Sequence, residues 1–594
     1  MWGGGIDLGN LPAGRGAGGL TAALILAPLC TVVSLWWARG RAWDVPARAG
    51  TAAAVGLLAW SAASIAWASA PDLAWLSTHR TAVAVAALIT GCALATRLDD
   101  APRRLATGIA VAAAPVLLWA LGSRVIPDLL SPLDDTRRLS APIGHANGLA
   151  LIAVFAVPGA LLLASGRRWR DPGTIIAMGA LLVVALTQSR SGLLALVAVI
   201  ALALWLFPGR AKVVATLAAA ILGMLPALVY GLTAGPLTAD PLPGPAGRRG
   251  AGLILGALIV LGAVLAVVLR DVLSPTAVRV ARALEHRLAG RLLLIAAGVV
   301  VVAGGVASSV LGRDASAGAG RNLSLDSNNR RGWWSEAVRG FTDAPIHGHG
   351  AGSFPLTHIA ERTQAIETLK VRQPHQLALE LLTELGVVGL LLGLVLVVCV
   401  AWAARRAGRA AAPALCLVVA FLVQAQLDFP WTIPAASVPA MAAAGAILGL
   451  GSRALPAPGR LGMARVAVAA VVGAGAIASA IVVGVAAHRT DDAYLSDGSP
   501  AVAARLADRA MGLNPLAIDS LLIAAKAQSQ LGDHAAAVRD ARHATDRQPE
   551  NPFAWECLAA VADGAVRRVA IARLATLDPA RDPVVAPPRC QPSW

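Results

Sequence analysis

The densest group of chemically capable residues in the chain is Pro374-His375-Gln376, followed by Glu380, Glu384, Leu385, Gly386 and Gly389. A histidine is the side chain best suited to take a proton near neutral pH. Pro374 favours the first turn of a helix, which places His375 at the N-terminal end of the apolar stretch beginning near 378. The positive end of the helix dipole there disfavours imidazolium and helps to keep a base neutral. Taken alone, the pattern fits an interfacial histidine above two helix-end carboxylates better than a base. A second cluster is Thr187-Gln188-Ser189-Arg190-Ser191-Gly192-Leu193-Leu194. Arg190 at the edge of an apolar span either snorkels to water or meets an anion, and its planar fork suits phosphate.

Two further clusters carry polar chemistry. Arg330-Arg331-Gly332-Trp333-Trp334 is followed by Pro345-Ile346-His347-Gly348-His349-Gly350-Ala351-Gly352-Ser353-Phe354. Gly348, Gly350 and Gly352 permit tight turns and close backbone approach, so their amides are candidates for holding an anion. A glycine-rich loop alone is weak support. His347 and His349 lack further ligands nearby and read as loop residues, so no metal site is expected. Asn147, in Gly144-His145-Ala146-Asn147-Gly148-Leu149-Ala150, either bonds a substrate or caps a helix. Asp428-Phe429-Pro430 reads as a turn. Asp134-Asp135 could serve a metal-dependent transferase but reads better as a turn.

The elements that must position these residues are membrane helices. The 594 residues are 57% hydrophobic and only 14% charged, whereas a soluble domain carries about a quarter charged residues. Apolar stretches near the 18 residues needed to cross a bilayer occur at 20–38, 50–70, 81–96, 105–122, 145–165, 172–187, 190–207, 213–233, 250–269, 292–312, 378–403, 411–427, 432–451 and 464–487. The expected fold is therefore all-α: a polytopic bundle of about 12–14 spans over 1–487, with a long connection at 313–377, and a soluble helical region over 488–594. The stretch at 20–38 lacks a cleavage site and reads as a retained span.

Alternate connections are basic: Arg39/Arg41/Arg48, Arg97/Arg103/Arg104, Arg167/Arg168/Arg170, Arg210/Lys212, Arg270 through Arg291, Arg405/Arg406/Arg409 and Arg453/Arg460/Arg465. The positive-inside rule makes these cytoplasmic. Both termini and 313–377 then face outward, and the polar clusters above all fall on that side. The net charge of +16 does not imply nucleic acid: the arginines are scattered between spans and aromatics are scarce.

In the C-terminal region, Leu513-Asn514-Pro515 and Arg547-Gln548-Pro549 set prolines 34 residues apart, the tetratricopeptide period. Leu531-Gly532-Asp533 supplies a turn between paired helices, and Leu577-Asp578-Pro579 is a degenerate third mark. With about two repeats, this region should pack on the membrane part or on a protein partner. A disulfide between Cys557 and Cys590 is possible if this region is extracytoplasmic, but two free thiols are the expectation.

The motifs resemble those of the O-antigen ligase family. His375-Gln376, nine residues, then Gly386-Val387-Val388-Gly389 matches the family's His, then Asn, Ser or Gln, then x9-Gly-x-x-Gly. Arg190 and Leu194 match an Arg-x-x-x-Leu element. Arg330, Trp334 and the glycine turn match an Arg, Trp, Gly-x-Gly-x-Gly-aromatic series, with Arg331 an equal candidate for the arginine. The matches run in order over roughly 140–450. The resemblance implies a metal-independent, cofactor-free glycosyltransferase in a bacterial cytoplasmic membrane. Its donor would be a glycan on a polyprenyl pyrophosphate, and its acceptor a hydroxyl of a glycan, lipid or protein. His375 would be the catalytic base. Arg190, Arg330 and Arg331 would hold the pyrophosphate, with Asn147, Gln376, Gly348, Gly350 and Gly352 as further substrate contacts. An extra final span, which puts the C-terminus outside, departs from the family pattern.

A polysaccharide polymerase of the same superfamily shares this chemistry. A transporter or flippase predicts ionisable residues at mid-membrane depth and internal repeats among the spans, and the sequence shows neither. A membrane-anchored scaffold presenting the repeats leaves the His375 pattern unexplained.

Overall fold

The structure is a computed structural model that describes residues 13–130, 138–239, 242–284, 330–363, 371–453, 456, 459–496, 498–581 and 588–591. Apart from one isolated bridge between Arg41 and Pro456, regular structure among the described residues is helical. Long runs of Ala, Leu and Val explain this: in a bilayer a helix satisfies every backbone group within itself.

The chain builds α1 (Ala13–Trp37), α2 (Val45–Ala63), α3 (Pro71–Ala95), α4 (Ala101–Val125), the short α5 (Pro127–Leu130), α6 (Ala146–Ala164), α7 (Arg170–Leu186), α8 (Arg190–Leu206) and α9 (Arg210–Thr233). It continues with the short α10 (Gly235–Thr238), α11 (Pro245–Leu284), α12 (Arg330–Asp343), α13 (Phe354–Glu361), α14 (Leu377–Ala407), α15 (Ala412–Gln424), α16 (Pro434–Gly449) and α17 (Gly459–Leu495).

Among the described residues, nine helical segments are long and apolar enough to cross a membrane; one of them, Leu377–Gln424, contains both α14 and α15. The Leu377 amide donates to the Ala425 carbonyl (2.8 Å), so these two helices form an antiparallel hairpin. The chain is thus a polytopic helical membrane protein. Helices α1–α4, α6–α9, α11 and α14–α17 occupy the expected spans. The span expected at 292–312, Arg287, Arg291, Asp134 and Asp135 lie outside the described residues. Helix α3 starts at Pro71, ten residues before the expected 81, because Ser77-Thr78-His79-Arg80 interrupts the apolar pattern without interrupting the helix.

Helices approach closely where small residues meet, as membrane packing requires. A Cβ on Gly91, Gly445 or Gly449 would overlap the facing backbone where α3 and α16 meet. Gly159 of α6 lies equally close to the Ala106 carbonyl of α4.

The basic connections gather at one end. Arg453 pairs with Asp99, Arg406 with Asp44 (3.5 Å), and Arg465 lies over Trp43. Around α6 at that same end, Arg170 pairs with Asp271, and Arg270 and Lys212 donate to the Ala164 and Ser165 carbonyls. The residues singled out for chemistry lie at the opposite end.

After α17, helices α18 (Pro500–Met511), α19 (Asp519–Gln530), α20 (His534–Arg547), α21 (Pro552–Val561) and α22 (Gly564–Leu577) pack successively around their own apolar cores. The composition changes near 487, but α17 runs without a break to Leu495. The two prolines 34 residues apart both sit between helices, and Gly532 (φ +82°) makes the turn between α19 and α20. Cys557 and Cys590 form a disulfide, against the expectation of free thiols. Sequence separation alone could not reveal this pair, because it depends on Cys590 lying against the Leu522 carbonyl of α19, beside α21.

This helical region docks on the chemical end of the bundle. Arg362, just beyond α13, makes a bidentate pair with Asp578 (2.7 and 2.9 Å), and the two side chains are only 16% and 5% exposed. Gln548 donates to Asp72 at the start of α3 (2.8 Å).

Candidate active site

Helix α14 begins one turn later than the proline suggests. Gln376 is the N-cap: its side-chain oxygen accepts from the Leu379 amide (2.6 Å), and its Nε2 donates to Gln426 (3.2 Å). Gln376 thus has a local structural role as the cap of the helix. Pro374 consequently lies before the helix rather than in its first turn. His375 is held between them at φ +58°, a conformation non-glycine residues seldom adopt.

The His375 ring is stacked on Trp333 (centroids 4.7 Å) and meets Phe429 edge-on (4.9 Å). Trp334 fixes the preceding turn by donating to the Pro374 carbonyl (2.9 Å). Nδ1 of His375 lies 2.9 Å from the Gln373 carbonyl, which can only accept, so Nδ1 carries the proton. In the neutral ring Nε2 is then the bare nitrogen. Burial pushes the imidazole down to about 4; the Asp428 carboxylate and the Gln373 carbonyl oppose this, while Arg330 and His145 reinforce it. Burial thus keeps His375 neutral.

Arg330 and Asp428 complete the cluster. Arg330, the first residue of α12, is 8% exposed, whereas Arg331 beside it is exposed. Burial lowers the Arg330 pKa and Asp428 opposes the shift; its Nε is buried without a hydrogen bond. Asp428 is 1% exposed. Burial alone would raise its pKa, but His145, His375 and Arg330 outweigh that and hold the carboxyl below its usual value. One oxygen accepts from the Phe429 amide (3.0 Å) while the other has no hydrogen-bond partner in the protein. The turn expected at Asp428 is present, and it buries a carboxylate beside the histidine.

The opening of α6 forms the next wall. His145, not Asn147, caps this helix: its Nδ1 accepts from the Gly148 amide (3.0 Å), and its ring packs on Phe429 (4.8 Å). Asn147 accepts instead from Arg138 (2.7 Å), whose Nε donates to the Thr187 carbonyl (3.0 Å). Gln424 donates to the Asn147 carbonyl (2.8 Å), joining α15 to α6. Arg138 thus ties together two of the motifs, a role its place in the sequence, outside both, did not signal. Arg190, half-buried, is the first residue of α8, next to the Ser189 cap. Gly192 packs against Ala150, which brings Arg190 to the same end as His145.

The glycine turn is held from within the protein. At Gly386 (φ +64°, ψ −165°) α14 is kinked, and the Val387 amide donates to Pro345 (2.9 Å) rather than to Thr383. The freed Thr383 and Glu384 carbonyls accept from His349 (3.0 Å) and Gly350 (2.8 Å). The Glu384 carboxylate accepts from the Gly352 amide (2.6 Å) and the Phe354 amide (3.4 Å). The Gly348 amide bonds Ala344, so in this conformation the turn's amides are directed at protein oxygens. His347 Nδ1 lies 2.7 Å from the Gly348 carbonyl and His349 Nε2 lies 2.9 Å from the Gly340 carbonyl.

Residues 246–394 match the family described as O-antigen ligase. The matched stretch contains Arg330, Arg331, the glycine turn, His375, Gln376 and Gly386, while Asn147 and Arg190 lie outside it. No curated protein matches the chain.

Proposed function

We propose, from the premise that this multi-pass membrane protein carries an O-antigen ligase domain, that it moves a glycan from a polyprenyl pyrophosphate to an acceptor hydroxyl. The observation that carries this reading is the half-buried, neutral His375, oriented by Gln373 and flanked by Asp428 and Arg330. The acceptor oxygen attacks the anomeric carbon of the donor and its proton passes to His375 Nε2. The bond from that carbon to the phosphate oxygen breaks, and the pyrophosphate leaves with the electron pair. Arg330 and Arg190 stabilise the charge gathering on the leaving group. Asp428 stabilises the imidazolium as it forms. An arriving pyrophosphate also raises the basicity of His375, so the base strengthens when the donor is bound.

Arginine takes the place that a divalent ion holds in other transferases, so turnover should survive chelation with EDTA. The basic end faces the cytoplasm on the positive-inside rule, which puts the site outside. The disulfide in the helical region docked at that end agrees with an oxidising compartment. The 34-residue spacing supports a tetratricopeptide-like region that engages a protein partner. A lipid-linked glycan as acceptor would make the enzyme a polymerase; single repeat units would then accumulate in a deletion strain, and long lipid-linked chains if it is a ligase.

The test is glycan transfer in the native strain with His375→Ala at matched membrane abundance. Transfer should be lost, with the lipid-linked donor accumulating. Full transfer would remove His375 as the base.

A further inference from the structure

Behind His375 lies a polar cavity that the transfer mechanism does not use. It is lined by Arg80, Arg372, Gln373, Glu380, Glu384 and Gly352 and has room for a few water-sized groups. The four charged side chains are close enough to interact electrostatically. The two carboxylates stand one turn apart on α14 and are used differently. Glu384 spends both oxygens on the glycine turn. Glu380 is 5% exposed, and its Oε2 is buried without a hydrogen-bond partner in the protein. A buried carboxylate oxygen in that state is costly unless something donates to it.

We propose that this cavity is the polar end of a sugar subsite, entered by the hydroxyls of a ring edge of the donor or acceptor glycan, one of which donates to Glu380 Oε2 while Arg80 donates to a neighbouring hydroxyl oxygen. The inference rests on the transferase reading above. The lining favours an uncharged occupant: two carboxyl groups beside two guanidinium groups balance one another, and a neutral ring edge supplies both donors and acceptors to them. Position agrees, because Gln373 lines the cavity and its carbonyl also orients His375. A ring whose edge enters there lies beside the base, so Glu380 discriminates between glycans without handling the reacting atoms.

The test uses the full-length protein in lipid nanodiscs, comparing wild type, Glu380→Ala and Glu380→Gln. The probes are bare polyprenyl pyrophosphate and the glycan-bearing carrier from a strain lacking this chain, with envelope of that strain as acceptor. Loss of one hydrogen bond to a charged group corresponds to roughly tenfold to a hundredfold. With Glu380→Ala, the preference for glycan-bearing over bare carrier should fall by that factor if the donor ring occupies the cavity. If the acceptor ring does, the KM for acceptor should rise by that factor instead. Glu380→Gln, which keeps an acceptor oxygen, should recover part of the loss. Unchanged affinity for bare carrier in the same preparations reports that the variants fold. The subsite is overturned if neither quantity moves, or if bare carrier weakens in parallel. If wild type neither prefers the glycan-bearing carrier nor transfers from it, the transferase reading fails, and the subsite with it.

Discussion

Gly386→Ala should disable the enzyme although the residue touches no substrate. Its backbone (φ +64°, ψ −165°) lies in a region essentially restricted to glycine, where any other residue costs about 1–3 kcal/mol. A Cβ at that position would also overlap the backbone carbonyl of Ile346. Backbone cannot swing aside as a long side chain can, so relief comes from moving the 345–348 turn or straightening α14. Straightening returns the Val387 amide to Thr383 and withdraws the carbonyls that receive His349 and Gly350. The glycine turn and α12, which carries Arg330 and Trp333, then lose their register with His375. A displacement of about 1 Å at a reacting centre costs on the order of a hundredfold in rate. The assay is glycan transfer together with thermal unfolding, at equal membrane abundance. Gly408→Ala is the control: φ there is +58°, but nothing lies within 4 Å of an added Cβ, and the site is a membrane thickness away. It should show a small loss of stability and normal transfer. Wild-type transfer and melting by Gly386→Ala would refute the argument that the kink sets the site.

The pH dependence should divide by kinetic parameter. Because His375 must be unprotonated, kcat/KM should fall only as pH drops through about 4, whereas the acid limb of kcat should lie higher once a bound pyrophosphate raises the base; coincident limbs would contradict this. Arg330→Ala should cost about a hundredfold in transfer rate, while Arg331→Ala, at an exposed position, should cost less than threefold. Arg362→Ala and Asp578→Ala should each destabilise docking of the helical region by about 3 kcal/mol, and the double variant by little more. Limited proteolysis after α17 measures this, and strictly additive effects would mean the pair is not a latch.

How much was legible in the sequence follows from the range over which each signal acts. The span pattern is local, since a helix in lipid is dictated by some twenty consecutive residues, and the helices appear where apolar stretches predict them. His375 and Arg330 were legible because they stand inside motifs of fixed spacing. Choosing Arg330 over Arg331 needed the structure, because only the docking of α12 on α14 tells which neighbour is buried. Asp428, Arg138 and Arg80 were undervalued for a common reason. Each stands among residues with an ordinary local explanation, a turn, a loop or a helix end, and gains its neighbours from helices distant in the chain. The glycine turn shows a different pattern. Its composition suggested amides open to an anion, yet Glu384, thirty-two residues from Gly352, accepts two of them. The same physical preference, amides seeking negative charge, is satisfied from within the fold. The anion-binding task then falls to Arg330 and Arg190, and the cavity where Glu380 and Glu384 face Arg80 and Arg372 is left to read neutral hydroxyls. That division of labour across one histidine is the feature from which the proposed chemistry and the proposed specificity both follow.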